Sequence, residues 1–321
     1  MAVNSIQKEV KAWTAWVLIP PFRTLVRYGV SDSSRHFLWN SVCSRLVWRS
    51  HPFVSRTRYG FRFAGNSRDL VARYVYYFGV WEPGISEWIC SLPLAGRTVI
   101  DVGASLGWYS LLGAERVGPA GRVVSIEASP ICFAGLKRNV SLNGFGRIRP
   151  INVAAWNEEA ELDLFPGPDV NSGVTTVVAS YKEFESHPGA EYKPGIKVKA
   201  SPLFRLLQPD EVAGAGLVKI DVEGAEPEVI EGLLPLLPRF PQDVQFLLEV
   251  TPVTLRRCNR TLDDFLSAFT RQGFRPYTIE NEYSPEFYLD ALARKVPRPT
   301  ELRGEIAQQT DLILSRQSFS G

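Results

Sequence analysis

The chain has 321 residues, 45% of them hydrophobic and 22% charged, values typical of globular proteins. This length predicts about two domains of ~150 residues, or one α/β domain with added segments, and the composition excludes disordered, collagen-like and fibrous proteins. The longest N-terminal apolar run, Ala12 to Ile19, stops at Pro20 and is far shorter than the ~20 residues that cross a bilayer. We therefore expect no membrane-spanning helix. The four cysteines form no CxxC pair, which favours reduced thiols in a cytoplasmic protein over a disulfide framework or a zinc site.

The net charge of +2 conceals a basic N-terminal segment. Residues 1–80 hold 12 Lys and Arg against 3 Asp and Glu, and the rest of the chain is acidic. Apolar residues recur at helical spacing between Ile6 and Val17 and between Leu70 and Phe78, which predicts two amphipathic helices in a basic, aromatic-rich, helical segment. Such a segment can lie on an anionic membrane surface, or it can pack on its own domain with solvated arginines. It carries no known nucleic-acid-binding motif, so we do not favour a nucleic-acid partner.

From Arg97 onward, short β-type runs alternate with helical runs, which is typical of βαβ units and a parallel sheet. The predicted strands are RTVIDV, RVVSIE, IRPINVA, GLVKIDV and VQFLLEV. Residues 157–216 are too long for a simple crossover and contain β-type runs of their own, ELDLF, GVTTVV and IKVKA, so we predict an inserted β-hairpin region there. Near the end, FRPYTI and DLILSR predict an antiparallel pair at the sheet's edge.

The strongest local motif is VIDVGASLGWYSLL, Val99 to Leu112, an apolar strand that runs through a glycine turn into a helix. The turn contains Gly103, Ala104, Ser105 and Gly107, and a ligand can approach such a backbone at a helix N-terminus. Ser105 replaces the second glycine of the nicotinamide fingerprint. Asp101 places negative charge beside the turn, which disfavours a pyrophosphate and favours the cationic S-adenosyl-L-methionine. The alternative is that Asp101 caps the next helix and the glycines serve only the turn.

Residues at the ends of the second and third predicted strands are suited to bind a nucleoside. Glu127 ends the second strand, 20 residues past Gly107, where an acidic side chain commonly accepts hydrogen bonds from ribose hydroxyls, and Ala128 follows it. Asn152 and Ala154, at the end of the third strand, are candidates for the adenine edge. The alternatives are a surface glutamate and an ordinary turn asparagine.

In these motifs and their order, the chain resembles the FkbM family of S-adenosylmethionine-dependent methyltransferases, which belongs to the class I methyltransferases. The resemblance runs from Trp81 to Arg316, and its motifs occur in the family's order. The motifs are WEPGI, DVGASLGWYSLL, GRVVSIEASP, LKRNVSLN, INVAAWNEEAELDL, NSGVTTV, VKIDVEGAEPEVIEG, LLEVTP and DLILSR. The chain departs from the family's pattern at Ser105, usually Asn, and across Ser201 to Leu207, where the family usually has a Leu-Asp pair.

The resemblance implies a Rossmann-like α/β domain over residues 81–321, mostly parallel with an antiparallel edge strand, preceded by the N-terminal helical segment of residues 1–80. It further implies an enzyme that uses S-adenosyl-L-methionine to methylate a hydroxyl of a small molecule or of a sugar in a glycolipid. A nucleic-acid methyltransferase and a donor-binding protein without catalysis remain as alternatives.

The motif KIDVEGAE supplies the catalytic candidates. Asp221 and Glu223 follow the fourth strand and Glu249 ends the fifth, so all three should meet at the carboxyl edge of the sheet. We predict that Asp221 accepts the acceptor's proton or orients the acceptor, with Glu223 and Glu249 in support. The alternative is that Asp221 and Glu223 only hold the turn. His187, in the insertion, is a weaker candidate because loop histidines are usually solvated. Nothing in the sequence demands a metal, and we predict none.

Overall fold

The computed structural model describes residues 21–29, 31–44, 50–178, 194–291 and 298–319. The predicted helix around Ile6–Val17 and the candidate His187 lie outside these residues. By its contacts the chain divides into two units. The first comprises Met1–Pro83 and Glu282–Lys295, and the second comprises Gly84–Asn281 and Val296–Gly321. The division falls near the predicted boundary after residue 80, but the assignment of a late segment to the first unit is not foreseen from sequence.

The first unit contains the expected helix over Leu70–Phe78 and also an antiparallel hairpin. Residues 21–28 are helical. The labelled elements are α1 (Asp32–Leu38), which continues into a π-helical turn (Trp39–Cys43), β1 (Pro52–Arg56), β2 (Arg62–Asn66) and α2 (Leu70–Phe78). A short late helix, Pro285–Ala291, belongs to the same unit. The hairpin corrects the expectation of a purely helical segment: β1 alternates exposed and buried residues with the period of two that a strand requires.

A buried arginine closes the C-terminal end of α2. This helix begins at Asp69, whose side chain caps it by accepting from Ala72 N, and ends at Gly79 with φ +78°. The guanidinium of Arg27 donates to the carbonyl oxygens of Arg56 (2.7 Å), Val75 (2.5 Å), Tyr76 and Tyr77 (3.2 Å). Three of these carbonyls belong to the last turn of α2, where helix carbonyls generally lack partners. The carbonyl of Val75 also accepts from Gly79 N at 3.0 Å. Burial lowers the pKa of Arg27 to about 10, so the carbonyls receive a desolvated positive charge.

The second unit contains an eight-stranded sheet and a three-stranded sheet. The strands in chain order are β3 (Thr98–Val102), β4 (Arg122–Ile126), β5 (Ile148–Ile151), β6 (Ala154–Trp156), β7 (Ala160–Leu164), β8 (Ile196–Pro202), β9 (Ala215–Ile220), β10 (Gln245–Val250), β11 (Arg275–Thr278), β12 (Thr300–Glu301) and β13 (Thr310–Ser315). The large sheet has the order β12-β11-β13-β10-β9-β3-β4-β5. Its five strands from β10 to β5 are mutually parallel, while β13 pairs antiparallel with both β10 and β11.

This topology confirms the predicted α/β fold with a mostly parallel sheet. FRPYTI and DLILSR form β11 and β13, an antiparallel pair as expected, but β13 lies one place inside, between β10 and β11. The edge is the two-residue strand β12. Strands β3, β9 and β10 are buried along their whole length, which explains their nearly continuous apolar sequences.

Helices precede or connect the strands of this unit. They are α3 (Pro83–Ser91), α4 (Trp108–Val117), α5 (Pro130–Asn143), α6 (Leu203–Leu206), α7 (Pro209–Ala213), α8 (Glu226–Leu233), α9 (Pro252–Arg257) and α10 (Leu262–Thr270). α5 begins at Pro130, after the capping Ser129, and ends at Gly144 with φ +64°, so its sequence marks both ends. One core joins residues of the sheet, such as Ile100, Val218 and Phe246, to apolar residues of α8 and α10.

The predicted insertion supplies β7 and β8 to the smaller sheet, whose strand order is β6-β8-β7; β6 precedes the insertion. β7 and β8 pair antiparallel, as a hairpin region should, and β8 leads through α6 and α7 into β9. The run GVTTVV is not a strand over its described residues: Ser172–Val174 form one 3₁₀ turn, and Thr176 bridges to Phe165. Across the described parts of both units, the helices are too short or too polar to cross a membrane.

We predict that Arg27→Ala destabilises the first unit by about 3 kcal/mol, because four carbonyls lose charge-assisted donors and stay largely buried. Hydrogen exchange of peptides covering Leu70–Gly79 should accelerate, and urea unfolding should shift to lower concentration. Arg56→Ala, on an exposed position of β1, is the control; it leaves the backbone carbonyl in place and should change stability by less than about 0.5 kcal/mol. Equal effects of the two substitutions would contradict the capping role of Arg27.

Candidate functional site

Acidic side chains gather at the carboxyl edge of the large sheet. Asp101 lies near the end of β3, Glu127 follows β4, and Asp221 and Glu223 follow β9. Glu249 is the penultimate residue of β10. Because β3, β4, β9 and β10 are parallel, their carboxyl ends meet at one edge, where open α/β sheets bind ligands.

The glycine turn after β3 contacts the loop after β9. Gly103 has φ +80°, and a Cβ built on it would lie 1.7 Å from the carbonyl oxygen of Asp221, so any side chain here collides with backbone. The N–H groups of Gly103 and Ala104 donate to the carbonyl of Ile126, at 2.9 and 3.0 Å. Gly107, with φ +93°, begins α4, and in the described residues no side chain caps this helix. The turn therefore presents a helix N-terminus, as predicted from the sequence.

Asp101 lies beneath the turn rather than on its surface. Its side chain is fully buried, and its Oδ2 accepts a hydrogen bond from Ser110 Oγ of α4 at 2.5 Å. Ser125 Oγ of β4 donates in turn to Ser110 Oγ at 2.7 Å. Burial raises the pKa of Asp101, and the positive charge of Lys219 opposes that rise. Asp101 thus ties α4 to β3, and as placed it influences a ligand's charge through its field rather than by contact.

Glu127 joins the glycine turn to the start of α5. Its Oε2 accepts from Ser105 N at 2.6 Å and its Oε1 from Ser129 N at 2.7 Å. Its relative exposure is 7%, and burial raises its pKa to about 7 against the opposing effect of the two backbone donors. Each oxygen retains a second acceptor direction, so the backbone bonds leave the predicted ribose contact chemically open.

The remaining predicted binding residues divide between the two sheets. Asn152 Nδ2 donates to the carbonyls of Glu127 (2.8 Å) and Ala128 (3.1 Å), which joins the segments that follow β4 and β5. Ala154 is the first residue of β6, and its side chain packs in the core of the smaller sheet with Leu164 and Val198. The structure therefore places Asn152 beside Glu127 but turns the side chain of Ala154 into that core.

The three catalytic candidates come together. One carboxylate oxygen from each of Asp221, Glu223 and Glu249 lies within 4.8 Å of the others. Asp221 and Glu223 are half-buried, whereas Glu249 is only 6% exposed. The pKa of Glu249 is raised well above its usual range, first by burial and then by the negative charges of Asp221 and Glu223. We call these three residues the acidic trio.

Two polar residues that the sequence analysis did not single out contact the acidic trio. Lys219 Nζ pairs with Asp221 Oδ2 at 2.8 Å and lies 4.9 Å from the ring centre of Tyr109. Gln309 Nε2 donates to Glu249 Oε1. The period of two along a strand puts residues 219 and 221 on one face, so Lys219 was visible in the motif KIDVEGAE. Gln309 was not visible, because it reaches Glu249 from a segment 60 residues away.

Backbone contacts hold the loop that carries Glu223. Glu223 has φ +54°, a conformation that costs a residue with a side chain about 1–2 kcal/mol. Glu226 Oε1 accepts from the N–H groups of Val222 (3.0 Å) and Gly224 (3.2 Å). Thr176 Oγ1 donates to the carbonyl of Glu223 at 2.7 Å, and Arg257 donates to that of Gly224 at 2.9 Å. These bonds offset the strained backbone and fix where Glu223 leaves the loop.

We predict that Gly103→Ala destabilises the second unit by about 3 kcal/mol or more, since the new Cβ collides with the Asp221 carbonyl. Gly144→Ala is a matched control: its φ of +64° and ψ of 28° are left-handed helical, but a Cβ there meets nothing within 4 Å. It should lose about 1–2 kcal/mol from backbone strain alone. Urea unfolding measures both losses, and equal losses would show that the contact between the two loops is unimportant.

We predict that the free energy of unfolding falls as the pH rises from about 4.5 to about 7. Burial raises the pKa of both Glu127 and Glu226 from 4.5 to about 7, so in this window the folded state retains protons that the unfolded state has released. Each pKa unit corresponds to about 1.4 kcal/mol. Thermal unfolding at constant ionic strength should show the fall, and Glu127→Gln and Glu226→Gln should flatten it. A slope unchanged in both variants would contradict this origin.

A family model described as a methyltransferase FkbM domain matches residues 101–276, more than half of the chain. This range includes the glycine turn, Glu127 and the whole acidic trio. The methyl donor of this family is S-adenosyl-L-methionine, so the cofactor predicted from the sequence is confirmed at the level of the family.

Curated relatives are similar over part of their length. The methyltransferase sdnD of Sordaria araneosa is 28% identical over 165 residues, which cover 45% of this chain and 63% of that protein. Methyltransferase 1 of Beauveria bassiana is 27% identical over 146 residues, covering 42% and 57%. The chain therefore spans less than two thirds of the relatives it matches.

Among solved structures, the chain is similar to the methyltransferase FkbM of Methylobacillus flagellatus. The TM-score is 0.41 at 15% identity, over 92% of this chain and 58% of that one. The family match covers the end of β3 and all of β4, β9 and β10, together with every acidic residue described above at their carboxyl ends. The chain belongs to the FkbM methyltransferase domain family.

Proposed function

We propose that this chain transfers a methyl group from S-adenosyl-L-methionine to a hydroxyl oxygen of a small molecule or of a sugar in a glycolipid. The observation that carries the proposal is the meeting of the acidic trio at the carboxyl edge, beside the glycine turn. A methyltransferase must hold its donor and remove a proton from its acceptor, and the two neighbouring loops divide these tasks.

The donor side fits a cationic nucleoside. The glycine turn offers a helix N-terminus to the ligand's polar groups, and Glu127 stands where ribose hydroxyls are commonly bound. In the described residues, Asp101 Oδ1 and Ser105 Oγ are buried without a hydrogen-bond partner. Excess negative charge and unsatisfied acceptors favour a positively charged ligand. When bound, S-adenosyl-L-methionine supplies a methyl group on a positively charged sulfur.

Asp221 is the best candidate to take the acceptor's proton. Its side chain is 31% exposed, so an acceptor can reach it, and Lys219 holds its Oδ2 at 2.8 Å and thereby fixes its orientation. The described histidines make other contacts: His36 pairs with Asp290 at 2.9 Å, and His51 bonds Ser67 at 3.0 Å, all within the first unit. A carboxylate remains the base, with Glu223 and Glu249 shaping the charge around it.

The first unit gives less support to a nucleic-acid acceptor. Arg27 and Arg73 are buried and donate to backbone carbonyls, so these two arginines serve the fold rather than a phosphate backbone. A peripheral membrane contact through the basic segment stays a prediction. It is compatible with a glycolipid acceptor, which would present its sugar at a membrane surface.

We predict that Asp221→Asn lowers the rate of methyl transfer ~10²-fold or more while leaving donor affinity within about twofold, because only the proton acceptor is removed. Transfer is measured with S-adenosyl-L-methionine labelled in its methyl group and a panel of polyols, sugars, glycolipids and RNA. Donor affinity is measured by calorimetry with S-adenosylhomocysteine.

Asp263→Asn, at an exposed position of α10, is the matched control and should leave transfer unchanged. An unchanged rate in Asp221→Asn would remove Asp221 as the base. Donor binding without transfer to any acceptor would favour a donor-binding protein without catalysis, and transfer confined to RNA would replace the proposed acceptor class.

A further inference from the structure

The acidic trio concentrates negative charge that the described neighbours offset only in part. Glu249 on β10 lies directly opposite Asp311 on β13 in the antiparallel register, and their charges act on each other. Within the described residues, Lys219 pairs with Asp221. Like charges this close and this buried repel strongly, which makes the site attractive to a cation.

Glu249 adds an independent observation. Its Oε1 accepts from Gln309, but its Oε2 is buried and has no hydrogen-bond partner in the described residues. The residue is only 6% exposed, so bulk water does not compensate for the missing bond. A buried carboxylate oxygen without a donor is costly unless a proton or a metal ion satisfies it. This carboxylate also places an oxygen within 4.8 Å of oxygens of both other members of the trio.

The ligand chemistry selects the class of ion. All three groups are carboxylates, which favour the hard cations Mg²⁺, Mn²⁺ and Ca²⁺ over the zinc and copper ions that prefer sulfur or imidazole. Opposite oxygens around Ca²⁺ lie about 4.8 Å apart, twice its bond length of about 2.4 Å. Around Mg²⁺ they lie about 4.2 Å apart. The three carboxylate oxygens of the trio all lie within 4.8 Å of one another, so one ion can reach all three after small side-chain rotations.

The trio's backbone is already fixed, so binding need not order a loop. Glu226 and Thr176 hold the loop that carries Glu223, and Glu249 belongs to a fully buried strand. Lys219 Nζ holds Oδ2 of Asp221 at 2.8 Å, which fixes the orientation of that carboxylate. A preorganised set of ligands loses little entropy on binding.

We propose that Asp221, Glu223 and Glu249 form a binding site for one divalent, oxygen-preferring cation. At this place the cation would attract the acceptor's hydroxyl oxygen and make its proton easier to remove. This catalytic consequence rests on the proposed function, whereas the binding of the ion does not.

The test measures metal binding directly, on the full chain stripped with a chelator. Titration with Mn²⁺ followed by electron paramagnetic resonance should show one saturable site per chain. Thermal unfolding should shift upward on addition of Mg²⁺ or Ca²⁺, since a ligand of the folded state stabilises it. Glu249→Gln, which keeps the shape of the side chain, should weaken Mn²⁺ binding about tenfold or more because it removes a charged ligand.

Glu223→Gln provides a second variant at a half-buried position in case Glu249→Gln does not fold, and it should weaken binding to a similar extent. Glu161→Gln, at an exposed position of β7, is the matched control and should bind Mn²⁺ as the unmodified chain does. Absence of saturable binding up to about 10 mM Mn²⁺, or binding unaffected by Glu249→Gln and Glu223→Gln, would overturn the site.

Different results would contradict the metal site and the proposed function. Methyl transfer that persists in the presence of a chelator, together with absent Mn²⁺ binding, overturns the metal site and leaves the transferase. Specific Mn²⁺ binding that is lost in the trio variants supports the site even if no acceptor is methylated.

Discussion

The contact between Gly103 and the carbonyl oxygen of Asp221 sets the geometry of the second unit's functional edge. A Cβ at residue 103 would come within 1.7 Å of that oxygen, so the two loops can be this close only with glycine there. β3 and β9 are parallel neighbours, and their loops leave the sheet side by side. The turn that begins α4 and the loop that carries Asp221 and Glu223 are therefore one rigid assembly, and a change in either loop displaces the other.

This assembly concentrates buried carboxylates, which is unfavourable for folding. Each of these carboxylates has its own hydrogen-bond donors. Asp101 accepts from the Ser110 hydroxyl, Glu127 and Glu226 accept from backbone N–H groups, and Glu249 accepts from a side-chain amide. The compensation is incomplete, because Asp101 and Glu249 each keep one buried oxygen without a partner in the described part of the chain. Buried groups with shifted pKa values are common at binding and active sites. A ligand that supplies the missing partner gains the interaction free energy that the folded protein alone lacks.

Local patterns predicted much of this arrangement. Apolar runs located all five parallel strands, and the rule that ligands bind at carboxyl ends brought Asp221, Glu223 and Glu249 together before their distances were known. The local patterns did not predict contacts between residues that are far apart in the sequence. The burial of Asp101 depends on Ser110 and Ser125, which lie on different elements. Likewise, residues 282–295 join the first unit through contacts such as Tyr74 with Tyr283, some 209 positions apart, and no local period reports these.

The hydrogen bond from Thr176 to the carbonyl of Glu223 has a consequence for how such proteins diversify. The Thr176 hydroxyl attaches the inserted region to a backbone carbonyl of the loop that carries the acidic trio. This attachment does not depend on the other side chains of the insertion. Other side chains of the insertion can therefore change without loss of this attachment, provided that residue 176 keeps a hydroxyl. In building chimeras between distant members, the natural crossover points are thus outside the Phe165–Thr176 bridge, so that the hydroxyl and its strand-like support travel as a single module.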